Sequence, residues 1–237
     1  IELERWILRE LNDPFWRLYI PVAGEAVVTR NVDGQEQSFR LEPGYAYLIP
    51  PRTTISSTHT EPFSKWYVHF TLGHSGDRVI PGIYPVTVTP VMSSILDRLR
   101  GLGAGQFPWL SAGLVSEALH QLAPEIWRSR HLDSRVERAM EFMYTNLSIK
   151  LTTDQVAAVA GMSVRNLNHL FNQDLHMSPM RVLQDFRLDK ACQLLRHSDK
   201  SIEQVAEECG FPNRNYFSRM LKQHRGTSPA AYRESEV

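Results

Sequence analysis

Long apolar runs are missing from this chain. Nowhere do its 237 residues hold the roughly 18 consecutive apolar positions that a membrane-spanning helix requires. Excess charge is missing too. The sequence carries 26 Lys+Arg against 26 Asp+Glu, so any attraction to nucleic acid must come from where charges sit, not from their sum. Only two cysteines occur, Cys192 and Cys209, both among aliphatic residues. That excludes a disulfide scaffold and points to buried, reduced thiols. No cationic segment leading into an apolar stretch opens the sequence, so the cytoplasm is the expected compartment. No His-x-His pair with a nearby acid lies between Trp16 and Gly44, and no Ser/His/Asp or paired-carboxylate set has interpretable spacing. Neither metal, cofactor nor catalytic residue is expected. His59, His69 and His74 stand alone, as hydrogen-bonded or solvated histidines usually do.

What is present divides in two. Hydrophobic content of 42% and charged content of 22% are ordinary for a globular chain with room for two modest domains. Residues 1–90 read as short strands: Trp16–Val22, Ala26–Val32, Gln37–Leu41, Tyr45–Ile49, Ile55–Thr58, Lys65–Leu72 and Tyr84–Val88. Asp33-Gly34 is a two-residue hairpin signal. Evenly spaced strands without intervening helices predict an antiparallel β-barrel or jelly roll. Strand parity puts Arg17 with Tyr19 on one face and Tyr67 with His69 on one face. A connector follows, with amphipathic segments at 90–102 and 111–127, the second split by Pro124. Its apolar stripe serves either core packing or a subunit interface. The stretch 129–133 reads as a hinge, giving domains of 1–130 and 131–237.

The C-terminal half states one pattern twice. Thr152-Thr-Asp-Gln-Val-Ala and Ser201-Ile-Glu-Gln-Val-Ala lie 49 residues apart, each opening on a capping box. Gly161 and Gly210 then end a helix, and Ser163 and Asn213 cap the next. By Leu170 and Met220 the offset is 50, so the second turn holds one extra residue. Ser178-Pro179 and Ser228-Pro229 start one further helix each. Ser134 with Glu137 fits another box before the first copy. Two helix-turn-helix units, at about 152–175 and 201–225, are joined by a helix of about 17 residues, roughly 25 Å long. Packing of Leu167, Leu170 and Phe171 leaves Arg165, Asn168, His169 and Asn172 outward. Packing of Phe217, Met220 and Leu221 leaves Arg214, Asn215, Ser218, Arg219 and Lys222 outward. Lys222, Arg225 and the capped helix N-termini suit phosphate. For each side chain the alternative is a solvated surface.

Gly210-Phe-Pro-Asn-Arg-Asn-Tyr-Phe-Ser-Arg-Met-Leu-Lys, with Gly226-Thr-Ser-Pro-x-x-Tyr-Arg233, resembles the signature of AraC/XylS-type DNA-binding domains. Gly161-Met-Ser-x-x-x-Leu-x-x-Leu-Phe and Phe186-Arg-Leu-x-x-Ala-x-x-Leu-Leu fit it as well. Leu221, where the family often has Phe, and Met177 depart from it. The N-terminal order of hairpin, Pro-Gly turn, Leu-Ile-Pro-Pro and Trp-Tyr-Val-His-Phe resembles that family's cupin-like sensor. A Gly44-x5-Pro50 fragment of the second cupin motif survives without its histidine.

The resemblance implies a multidomain α+β protein: a cupin-like sensor with flanking helices, then an all-α double helix-turn-helix. It implies base contacts at Arg165, Asn168, His169, Arg214, Asn215, Ser218 and Arg219. It places ligand-lining positions near Ala23, Thr58, Tyr67 and His69, beside Arg17 and Tyr19. Ala23 stands where one sugar-sensing member has a ligand-gripping arginine, so the ligand itself does not carry over. The implied partners are double-stranded DNA, a small polar effector such as a sugar, RNA polymerase and a second copy of the chain. Two rivals are a metal-dependent cupin-type enzyme with a helical appendage, and a regulator without effector whose barrel only dimerises.

Overall fold

The computed structural model describes residues 2–3, 8–32, 34–59, 62–73, 77–102, 108–127 and 132–234. His74 and most of the expected hinge lie outside them. The chain divides into two compact units, 1–128 and 129–237.

The first unit is two antiparallel sheets packed face to face, so the sandwich form of the expected barrel or jelly roll is the one observed. Strands β1 (Glu2–Leu3), β8 (Phe63–Phe70), β3 (Trp16–Ala23), β6 (Tyr45–Ile49) and β9 (Tyr84–Thr87) form one sheet, in that order. Strands β2 (Leu8–Leu11), β7 (Ile55–His59), β4 (Ala26–Val32) and β5 (Gln35–Leu41) form the other. Val32 pairs with Gln35, so a two-residue hairpin joins β4 and β5; Asp33 itself lies outside the described residues. Two strands, β1 and β2, carry no period-2 signal. In β2 the register shifts between Leu8 and Leu11, and Glu10 takes φ 48°, an irregularity that hides the strand.

Alternation along β3 splits the core. Tyr19 faces the second sheet with Tyr47 and Ile49, meeting Ala26, Val28, Leu41 and Ile55. Trp16, Leu18 and Ile20 face the other way, onto helices α1 (Pro90–Leu102) and α2 (Pro108–His120) through Met92, Leu96, Leu114 and Ala118. Helix α2 therefore starts before the expected Ser111, with proline in its first turn. It ends at His120, and Pro124–Ile126 form a separate 3-10 turn. The segment is thus split, with Pro124 opening the 3-10 turn after the helix has ended.

The second unit is all helix: α3 (Ser134–Thr145), α4 (Thr153–Val159), α5 (Val164–Leu175), α6 (Pro179–His197), α7 (Ile202–Glu208), α8 (Arg214–Arg225) and α9 (Pro229–Glu234). Asp133, not Ser134, caps α3, its carboxylate accepting from the Arg135 backbone N–H at 2.9 Å. Two cores lie side by side. Val136, Met140, Val156, Leu167 and Phe171 build one; Val205, Ala206, Phe211, Phe217 and Leu221 build the other. Helix α6 serves both, giving Val182, Leu183 and Phe186 to the first and Leu188, Ala191, Cys192 and Leu195 to the second.

Candidate nucleic-acid interface and sandwich interior

Each helix-turn-helix is fixed by the same short list of bonds. Gln155 N donates to Thr152 Oγ1 at 3.3 Å while Thr152 N donates to Gln155 Oε1 at 2.9 Å. Ser201 and Gln204 repeat this at 3.2 and 2.8 Å. The first helix of each unit ends with glycine in the left-handed region, Gly161 at φ 68° and Gly210 at φ 73°. Met162 N then reaches back to Ala157 O, and Phe211 N to Ala206 O, both at 2.9 Å. This closure satisfies carbonyls that the helix end leaves open. Ser163 and Asn213 cap the second helices as expected. The second turn is longer by one residue, running from Cys209 to Asn213 against Ala160 to Ser163.

Helices α5 and α8 bury matching rows, Leu167 with Phe171 and Phe217 with Leu221. Their opposite faces carry the expected side chains. Arg165 and His169 are exposed on α5; Arg214, Asn215, Arg219 and Lys222 are exposed on α8. Asn168 and Ser218 are half-buried at equivalent places. Asn168 Nδ2 donates back to Val164 O at 2.9 Å, so its amide is already aligned along the helix. The Arg219 guanidinium lies 5.2 Å from the Tyr216 ring centre, a stack that limits the side chain's freedom before any ligand arrives. Sequence reasoning passed over Tyr216, although it lies three residues before Arg219 on the same helix face.

Arg225 is a correction. Its guanidinium pairs with Asp189 of α6, each side chain only 17% exposed. It sits four residues after buried Leu221 and so turns toward the packed side. Arg225 anchors α8 and is not presented for phosphate. Its neighbour His224 bonds Arg181 Nη2 through Nδ1 at 2.9 Å. Burial and the Arg181 charge lower the pKa of His224, which favours the neutral ring needed to accept that bond. Both cysteines are buried, and burial pushes the Cys209 thiol up to about 12. That keeps the Cys209 thiol protonated at neutral pH.

In the sandwich the register pairs Arg17 with His69 and Tyr19 with Tyr67, so these four share one sheet face; Arg17 and Tyr19 are buried on it, whereas Tyr67 is 43% exposed. Lys65, unremarked in the sequence, lies on that face too, its Nζ 3.8 Å from the Tyr19 ring centre. Parity from Tyr67 would have found it. Two effector expectations change. Thr58 pairs with Val27, while the neighbouring pair Val28 and Ser57 is buried; Thr58 is exposed and turned away from the interior. Arg17 is fully buried and ion-paired with Asp13, also fully buried. It ties the start of β3 to the segment just before it and does not face open space. Among the described residues no cluster of three or more His, Cys, Asp or Glu could hold a metal ion, and no helix is long and apolar enough to cross a membrane.

Two capped helix pairs on one shared helix define a double helix-turn-helix domain. Residues 156–235 match a helix-turn-helix domain family. The HTH-type transcriptional activator RhaS of Enterobacter sp. is 32% identical over 102 residues, which cover 43% of this chain and 37% of that protein. RhaS of Klebsiella pneumoniae is likewise 32% identical over 102 residues. The chain thus spans little more than a third of the length of these curated relatives. ToxT of Vibrio cholerae, at 13% identity, has a TM-score of 0.59 over 98% of this chain and 94% of its own, which shows a common fold. Over its C-terminal part, then, the chain is similar to helix-turn-helix transcription regulators.

Proposed function

We propose that this chain is a sequence-specific, DNA-binding transcription regulator. Residues 131–237 read duplex DNA; residues 1–130 bind a small polar effector and join two copies. The observation that carries the reading is the duplicated outward face, held on one continuous helix that packs into both cores. Helix α6 has 19 residues, about 28 Å. That is the order of the roughly 34 Å separating successive major grooves on one side of B-DNA. Arg165, Asn168 and His169 read one groove, and Arg214, Asn215, Ser218 and Arg219 the next. Arginine pairs bidentately with guanine and asparagine with adenine. Lys222 and the N-termini capped by Ser163 and Asn213 take phosphates.

The effector reading rests on Tyr19, Lys65, Tyr67 and His69 sharing one sheet face. Aromatic rings beside a cation suit a polar metabolite, a sugar among them. A ligand there shifts how two readers are held, and the regulator activates by recruiting RNA polymerase in the cytoplasm. This makes the chain a binder and not a catalyst. The test is selection of bound fragments from random duplex DNA, with and without sugars and small organic acids. Arg219→Ala then weakens binding to the selected site by about 1–3 kcal/mol and relaxes preference at one position. Unchanged affinity and unchanged preference would overturn the reading. Thermal shifts with the same metabolites check the effector, since a ligand of the folded state raises its melting temperature.

A further inference from the structure

The two glycines that end α4 and α7 have the same backbone but different surroundings. A Cβ on Gly161 would meet nothing within 4 Å. A Cβ on Gly210 would lie 2.1 Å from Leu147 O and 3.0 Å from Arg187 Nη2. Leu147 belongs to the core of the first helix-turn-helix unit, so the turn of the second unit is seated directly on the backbone of the first. Arg187 completes the seat. It leaves α6 between Phe186, in the first core, and Leu188, in the second. Its Nε donates to Leu147 O at 3.0 Å and its Nη2 to Ile149 O at 2.7 Å. The guanidinium thus grips the loop after α3 while touching the Gly210 turn.

We infer that Arg187, Leu147 O and Gly210 form a joint that fixes the angle and distance between the two recognition helices, and so sets which spacing of two DNA elements the protein accepts. The inference rests on the DNA-reading function proposed above. The second unit's core and the Arg225–Asp189 pair tie it to α6 alone; a hold off that helix, on the first unit's own loop, limits tilt and rotation further. The joint is such a hold. Arg187 is a positioning residue: its two bonds end on protein carbonyls, and it acts on DNA through the placement of Arg214 and Arg219. One inserted base pair moves an element by about 3.4 Å and turns it by about 35°, so a fixed angle penalises it and a free one does not.

The experiment uses the full chain with Gly210→Ala, Arg187→Gln and Gly161→Ala, the last imposing the same backbone strain without the contact. Binding is measured on the wild-type selected duplex and on versions with one base pair inserted or deleted between its two elements. The expectation is that wild type and Gly161→Ala lose at least tenfold on the altered spacings, while Arg187→Gln and Gly210→Ala lose no more than about threefold. Independently of DNA, spin labels at Asn172→Cys and Gln223→Cys report the distance between α5 and α8. That distribution is expected to be narrow in wild type and to broaden with Arg187→Gln. Folded variants with wild-type spacing discrimination and an equally narrow distribution would overturn the joint. If Gly210→Ala fails to fold, Arg187→Gln decides alone, because it adds no atoms to the seat. A narrow wild-type distance that broadens in the variant, with no duplex selected at all, would uphold the joint as structure and overturn the DNA reading on which its spacing role depends.

Discussion

The two helix-turn-helix units share one pattern of caps and turns and differ in charge and in surroundings. Helix α5 carries one arginine and one aspartate, Arg165 and Asp174, whereas α8 carries Arg214, Arg219, Lys222 and Arg225 with no acid. Zero net charge on the whole chain therefore hides a cationic α8 beside a neutral α5, although over the full units the contrast narrows to +1 for 201–225 against −1 for 152–175. The first unit ends its second helix with His176 in the left-handed region at φ 55°, where the second has Gly226 at φ 74°. The first unit's turn stands in open space; the second's is seated on its neighbour. The two units match in caps and in helix lengths but differ by one turn residue and in the chemistry at equivalent positions. On the proposed function, α8 offers more charge to DNA than α5 does, so salt should weigh more on the second unit's contacts than on the first's.

That comparison can be broken or sharpened by experiment. The largest effect is expected at the paired glycines. Gly161→Ala costs about 1–2 kcal/mol for the left-handed backbone alone. Gly210→Ala adds overpacking against Leu147 O, for a total of about 2–5 kcal/mol. Denaturant unfolding of both variants checks this, and equal losses would dissolve the distinction.

Next come the reading helices. Lys222→Ala should reduce the slope of log affinity against log salt by about 1, whereas Asn168→Ala should leave the slope unchanged and alter preference at one base position. Salt titrations of the two variants on one duplex compare them directly. A smaller effect is expected at the helix ends. His176→Gly relieves left-handed strain and should stabilise the chain by about 1 kcal/mol, and Gly226→His should destabilise it by a similar amount; paired thermal melts read both.

The least effect is expected before the first unit, at the exposed cap of α3. Hydrogen bonds from Arg135 lower the Asp133 carboxyl from its ordinary 3.8 to about 2. A depressed folded-state pKa contributes stability that is complete above the unfolded value and fades as pH falls from about 4 to about 2. Asp133→Asn should flatten that limb of the stability curve, with little change at neutral pH.

The helical half, 129–237, was more legible in sequence than the sandwich, because capping boxes, glycine stops and Ser-Pro starts are local signals that tertiary packing did not override. Seven strands were legible for a similar reason: alternation and turn residues are local. β2 was hidden by its bulge and by Glu10, and the start of α2 by Pro108, since proline begins a helix as readily as it breaks one. Two mistaken site residues could have been avoided from periodicity alone. Arg225 follows Leu221 by one helical turn, and Thr58 is out of phase with the inward Ile55 and Ser57. Arg187 was beyond reach, since its partners are carbonyls 40 and 38 residues away. A hydrogen bond to backbone leaves no trace in the identity of the residue that accepts it.

Guanine-methylation interference across a selected duplex tests most directly whether both units enter the groove. Two windows of interference in the major groove, about 10 base pairs apart on one side of the helix, are expected, with the window of α8 lost in Arg219→Ala. A single window, or two on opposite sides of the duplex, would contradict the account.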